Sequence, residues 1–316
     1  MPADVSVDDY FGFEMSGLDI DASFRFPYEI VEETDDYIID KGGWGTTAKN
    51  WKNATSTPEM IDFTITTRAK WEEYKPLMLE WDDKRVDWEG TRKHYEASRE
   101  KGKWITYNGA VGYDRTQAFV GSERLLMAMA EDPAWVKDMT DTEAEIVIRG
   151  AEEMLAKGID FDGGFFFDDM GYRNASLFSP RMYREISMPG HKRIVDFMHS
   201  HNKPVILHSC GNVKELVPSL IEVGFDCLQP LEVKAGMDVI ELKKLYGEKL
   251  AFFGGIDVRK MRHPDPAVIE EEISSKIGFA KKGGGYIYHS DHSVPDDISF
   301  QQYCRVIELV KKYGAY

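Results

Sequence analysis

Lys203-Pro204-Val205-Ile206-Leu207-His208-Ser209-Cys210-Gly211-Asn212 is the stretch from which the rest of the chain can be read. Val205 to Leu207 is a short apolar run of the kind that forms a buried strand in a parallel sheet. It ends in two metal-competent side chains, then a glycine that lets the chain turn, then an amphipathic helical stretch from about Val213. Strand side chains alternate faces, so His208 and Cys210 project to the same side. An imidazole and a soft thiolate at a strand's carboxyl end suit Zn²⁺. A buried cysteine beside a histidine bonded to backbone would account for the same two residues, because two ligands do not make a site.

Outward from this strand a regular alternation appears. Upstream, Trp104–Asn108 is a strand, and Asp132-Pro133 supplies an N-cap and a first-turn proline for a long helix to about Lys157. Gly164–Asp169 is the next strand, and Ser179-Pro180 opens a helix to about Ser200. Downstream come a helix to Val223, a strand at 226–230, a helix at 239–246 and a strand at 250–253. Asp265-Pro266 then starts a helix to about Lys282, Gly285–His289 is the last strand, and Ser299 caps the final helix, which ends near Gly314. Strands alternating with helices imply right-handed βαβ units around a parallel sheet. Six units are visible after residue 100, so a (β/α)8 TIM barrel needs two more from the first third. An open doubly wound sheet is the runner-up, disfavoured because no G-x-G-x-x-G loop follows a strand. Residues 1–100 read as an irregular N-terminal segment packed on the barrel, with a β-hairpin between Tyr28 and Trp51 and a charged helix over 68–99. Residues 101–316 form the barrel body of one domain.

In such a barrel the carboxyl ends of the strands build the site. Those ends carry Asn108, Asp168 with Asp169, His208 with Cys210, Gln229 and Glu232, Asp257, and His289, Asp291 and His292. Asp291 or His292 could join His208 and Cys210 as third ligand of a tetrahedral zinc, since three protein ligands are usual in catalytic sites; the alternative is that they cap the following turn. Asp168, Glu232 and Asn108 are the candidates to orient a substrate or move a proton. Cys227 and Cys304 read as small core residues.

The chain has 316 residues and a formal charge of −16, which argues against nucleic acid or an anionic membrane as partner. Three scattered cysteines give no disulfide framework, no leader is apparent at Met1-Pro2-Ala3-Asp4-Val5, and no apolar run reaches membrane-spanning length. A cytoplasmic location is expected, and a homodimer is left open.

Several passages resemble the uroporphyrinogen decarboxylase-like superfamily, closest to its zinc- and corrinoid-dependent methyltransferase branch. They include Gly121–Leu126 with Glu131-Asp132-Pro133, Phe167-Asp168-Asp169, Leu177–Pro180, Pro204–Asn212, Pro230-Leu231-Glu232, Gly254–Asp257 and Val294-Pro295. The resemblance implies a TIM barrel and a zinc held by the His-x-Cys pair and a distant cysteine. Here that distant region reads Ser290-Asp291-His292 instead. It further implies methyl transfer between a small donor, such as an aromatic methoxy compound (O-demethylation), or a thiol acceptor, and the cobalt of a cobalamin-type corrinoid carried by a separate partner protein. The decarboxylases' amino-terminal arginine motif has no counterpart, and Arg25 is the only basic residue before Lys41. Porphyrin decarboxylation is therefore disfavoured. A decarboxylase or lyase acting on another substrate, and a non-catalytic barrel binding a small molecule or corrinoid protein, remain as alternatives.

Overall fold

A computed structural model describes residues 5–53 and 57–315; the leader reading at Met1 to Asp4 falls outside the described residues. The chain opens with α1 (Val7–Phe11) and β1 (Met15–Leu18). Next come β2 (Glu29–Glu33), β3 (Tyr37–Lys41), β4 (Thr46–Trp51) and β5 (Glu59–Phe63), followed by α2 (Arg68–Leu79) and α3 (Trp88–Glu100). The repeating body is β6 (Trp104–Ala110), α4 (Gly112–Val120), α5 (Ser122–Glu131), α6 (Pro133–Ala156), β7 (Gly163–Phe167), α7 (Pro180–Ile186), α8 (Met188–Ser200) and β8 (Val205–His208). It continues through α9 (Val217–Val223), β9 (Cys227–Gln229), α10 (Val239–Tyr246), β10 (Ala251–Phe253), α11 (Val258–Met261), α12 (Pro266–Ala280), β11 (Tyr286–Ile287) and α13 (Phe300–Gly314).

All six expected strands after residue 100 form, and β1 joins them from the irregular first third, pairing Met15–Leu18 with Trp104–Tyr107. The parallel sheet runs β1-β6-β7-β8-β9-β10-β11. Among the described residues it has seven strands rather than eight, and no ladder joins β11 to β1. The curled sheet is therefore an open version of the expected barrel. Across that gap the aromatic rings of α1 meet those of α13: Phe11 packs on Tyr303 at 4.8 Å and Tyr10 on Phe300 at 5.6 Å.

The expected hairpin is half of a four-stranded antiparallel sheet, β2-β3-β4-β5, because Thr46–Trp51 and Glu59–Phe63 extend it. The expected helix at 68–99 is two helices. Between them Arg85 is buried and donates to the carbonyls of Asp21, Ser23, Leu77, Met78 and Glu80; a continuous helix would not leave the last three free. The helix after Ser179 also divides, at Ser187, ahead of a first-turn proline that cannot donate to the preceding turn.

Strand alternation separates two cores. Ile105, Tyr107, Phe166, Val205, Leu207, Leu228 and Phe252 face the helix layer and belong to the main core. Ile206, Cys227 and Phe253, with Met15, Trp104 and Phe165, form a second cluster inside the curl of the sheet. The side chains at the mouth of that inner lining make the site.

Candidate metal centre

The carboxyl ends of β7 and β8 lead into two loops that cross. Asn212 N–H donates to Tyr172 O at 2.7 Å, and Gly211, at φ +76°, lies so close to Gly171 that a Cβ would fall 2.4 Å from the Gly171 carbonyl carbon. Glycine is needed there for both conformation and space. The crossing brings together Asp169, His208 and Cys210, whose candidate ligand atoms all lie within 4.8 Å of one another. His208 Nε2 is 3.3 Å from Cys210 Sγ and 3.4 Å from Asp169 Oδ1. Cys210 N–H donates to Asp169 Oδ1 at 2.7 Å. The other ring nitrogen, His208 Nδ1, bonds Gln229 Oε1, the partner directly across from it in β9. A ligand histidine held through its second nitrogen is the usual arrangement around a metal.

Electrostatics bind the three groups. Burial opposes charge on His208, but Asp169 and Cys210 outweigh it and raise its pKa to about 10. Burial likewise pushes Asp169 up, yet the hydrogen bonds from His208 and the Cys210 amide leave it below the usual carboxylate range. Phe167 and Phe165 stand at 5.3 and 6.4 Å from the His208 ring and cover one side of it, leaving it half-buried. One nitrogen, one sulfur and one carboxylate donor is a set that fits a zinc ion with an open fourth position.

His208 and Cys210 thus stand together as the strand reading expects. Asp291 does not join them: its buried carboxylate accepts Val233 N–H and Val258 N–H, both at 2.9 Å, and so ties two loops. His292 is exposed and also outside the cluster. The donor beside the pair is Asp169, and its signal lies in the period of two. Phe165 and Phe167 line the inside, so the next inward position is 169, whereas Asp168 faces the helices.

Asp168 is fully buried. Its Oδ1 accepts Asp114 N–H at 2.8 Å, and its Oδ2 stands 3.2 Å from His191 Nε2, whose Nδ1 meets Tyr183 OH at 3.0 Å. Burial raises its pKa. His191, on α8, carries no sequence signal beyond being one of two histidines in an amphipathic helix. Glu232 holds the turn behind the cysteine: Gly211 N–H donates to its Oε2 at 2.8 Å, and Lys234 pairs with its other oxygen at 3.0 Å. Asn108 lies on the inward face of β6 with a buried Oδ1 that has no donor among the described residues. His289, at the end of the last strand, packs edge-on against Phe253 at 5.3 Å and its Nδ1 lies 2.6 Å from Ser290 O. Burial, with the charge of His208, lowers its pKa.

A family model described as uroporphyrinogen decarboxylase matches residues 117–313. Uroporphyrinogen decarboxylase of Pectobacterium atrosepticum is 26% identical over 199 residues, covering 62% of this chain and 52% of that protein. The same enzyme of Colwellia psychrerythraea is 26% identical over 202 residues, covering 62% and 53%. The chain spans about half the length of the curated relatives it matches. Among solved structures, a methyltransferase from Methanosarcina mazei superposes with a TM-score of 0.63 at 15% identity, covering 98% of this chain and 83% of that one. That likeness is one of fold.

Proposed function

The chain belongs to the uroporphyrinogen decarboxylase family, and from that premise we propose that it is a zinc-dependent methyltransferase working with the corrinoid of a partner protein. The observation that carries the reading is the Asp169–His208–Cys210 cluster at the mouth of a fold shared with a methyltransferase. Bound there, zinc would supply Lewis acidity towards a methoxy oxygen or hold a thiol as thiolate at neutral pH. The chain's own residues prepare the site. Gln229 fixes the ring of His208, Cys210 N–H fixes the carboxylate of Asp169, and Glu232 holds the Cys210-Gly211 turn. The rings of Phe165, Phe167 and Phe253 give the site an apolar wall on the His208 side, which strengthens the charge interactions beside it. Asn108 Oδ1 offers an acceptor on the inner wall for orienting a substrate. Asp168, sealed from solvent, would act by holding the β7 end rather than by touching substrate.

A polyanionic porphyrinogen is a poor substrate for this chain. Its one early cation, Arg25, is already paired with Asp82 at 2.8 Å, and a many-carboxylate ligand calls for free arginines. Decarboxylation of a smaller acid is the second reading, favoured by the decarboxylase relatives. Metal content separates the two. The methyltransferase reading expects about one zinc per chain, lost in His208→Ala and Cys210→Ala, and zinc-dependent methyl exchange with a corrinoid protein. Metal-free, folded protein in zinc-supplemented growth would overturn it.

A further inference from the structure

Two imidazoles belong to the inner face of the sheet, and the metal cluster uses only one of them. Past Ile287 the chain stays extended: Ile256 N–H donates to His289 O at 3.4 Å, and Asp291 N–H donates to Ile256 O at 2.8 Å. Alternation therefore continues beyond β11, with Tyr286 and Tyr288 packed into the main core and Ile287 and His289 on the inner face. There the His289 ring stands edge-on to Phe253 at 5.3 Å, Phe253 packs on Phe165 at 6.5 Å, and Phe165 on His208 at 6.4 Å. The two nitrogens of His289 are not equivalent. Nδ1 lies 2.6 Å from Ser290 O, and a carbonyl can only accept, so Nδ1 carries the hydrogen. Nε2 then presents a lone pair from a half-buried ring, and among the described residues it has no hydrogen-bond partner. Burial and the charge of His208 on β8 act against a proton there, while Ser290 O and Asp291 on its own loop act for one; Phe253, its neighbour on β10, is uncharged. The balance lowers the pKa of His289, whereas Asp169 and Cys210 raise that of His208. A pair of titratable groups driven apart in one site marks an acid and a base. A metal ion held at the cluster would act on His289 in the same direction as the charge of His208.

We infer that His289 is a catalytic residue of this site, the base that takes the proton of a protic group entering the open position beside Asp169, His208 and Cys210. The inference rests on the metal-centre reading above. The X–H bond of the entering group breaks, its electron pair stays on X, and a bond forms between the hydrogen and Nε2. The imidazolium so formed is disfavoured by burial and by the cation opposite, so it passes the proton to solvent and the base is restored. Other carboxylates near the mouth are already engaged. Asp291 accepts two amides, Glu232 accepts Gly211 N–H and pairs with Lys234, and Asp168 is sealed behind the strand.

Cobalt in place of zinc makes this step visible without any methyl transfer, because a thiolate arriving at cobalt adds a charge-transfer band in the near ultraviolet. The full chain loaded with Co²⁺ is mixed with 2-mercaptoethanol near neutral pH in a stopped-flow spectrophotometer. His289→Gln should slow the appearance of the band by about 100-fold or more. In His289→Ala, which leaves space where the ring stood, added imidazole should restore the rate in proportion to its concentration, a rescue that a merely structural role would not show. Cobalt content and visible spectrum unchanged from the parent establish that both variants are folded with the ligand set intact. Equal rates in the parent and His289→Gln, or a slowed His289→Ala that imidazole does not rescue, would overturn the proposal. So would loss of cobalt from the variants, which would make His289 a ligand instead of a base. Each of those results leaves the metal reading standing, whereas a parent chain that takes up neither cobalt nor zinc removes both.

Discussion

Replacing Gly211 by alanine tests the crossing loops on which the site depends. The new Cβ would meet the Gly171 carbonyl carbon at 2.4 Å and both Gly171 O and Tyr172 N at 2.7 Å, all backbone atoms, where ordinary contact begins near 3.4 Å. One loop must therefore retreat by about 1 Å, a distance at which the Asn212-to-Tyr172 hydrogen bond and the Gly211-to-Glu232 bond cannot both survive. The left-handed conformation costs an alanine about 1 kcal/mol relative to glycine. Losing a backbone bond adds about 1 kcal/mol and a charge-assisted bond about 1.5 to 3 kcal/mol. With one or both bonds lost, these predict a loss of about 2 to 5 kcal/mol in urea unfolding, and zinc affinity lower by about 10- to 100-fold because the ligands move beyond coordination tolerance. Gly158→Ala is the control. It has φ +77° with nothing within 4 Å of its would-be Cβ, so only the conformational cost of about 1 kcal/mol applies. A chelator-competition titration in which Gly211→Ala keeps its zinc affinity, with stability no lower than Gly158→Ala, would refute the reasoning.

Other consequences are as open to measurement. Asp169→Ala should abolish stoichiometric zinc, whereas Asp291→Ala should retain it and lose about 2 to 4 kcal/mol of stability by leaving two amide donors unpaired; metal analysis beside urea melts decides both. Because the metal-free cluster keeps a proton on His208 with a pKa of about 10, and a cysteine binds zinc as thiolate, zinc uptake at pH 8 should release at least about one proton per chain and tighten by at least about tenfold per pH unit, which calorimetry in buffers of different ionisation heat would reveal. Burial first, then Asp169 and Asp168, raise the Asp114 carboxyl from 3.8 to about 6. Its contribution to folding is therefore fully present below about pH 4 and lost as pH rises through 6, a decline of up to about 3 kcal/mol. Asp114→Asn should flatten that decline in metal-free protein, and unfolding midpoints taken from pH 4 to 8 would show whether it does.

The periodic body of the chain was legible because local signals and tertiary packing agree there. Asp132-Pro133, Asp265-Pro266 and Ser299 each cap the helix that their chemistry demands, the last through a full capping box with Gln302. The strand β1 was not legible, since four residues with a glycine among them carry too little pattern; it forms because β6 offers it a ladder. Nor could the division of residues 68–99 be seen, because Arg85 looks like any surface cation until five carbonyls converge on it. At the site, the His208–Cys210 pair follows from alternation alone. Asp169 follows from the same rule applied to Phe165 and Phe167, while His191 and Asp114 reach the centre from helices, through contacts that no spacing encodes.

The meeting of α1 with α13 gives the fold the mechanics of a split collar closed by a clasp. Hydrogen bonds run continuously from β1 round to β11, and the remaining gap is spanned by aromatic edges such as Phe11 against Tyr303. Such ring pairs are worth about 0.5 to 1.5 kcal/mol each beyond their buried area, less than a ladder of several strand bonds and without its directional register. The collar therefore yields first at the clasp. Amides of β1 and β11 should exchange with solvent ahead of those in β7 and β8, whose ends hold the ligands, so that strain imposed at the rim is absorbed on the far side of the ring from the metal.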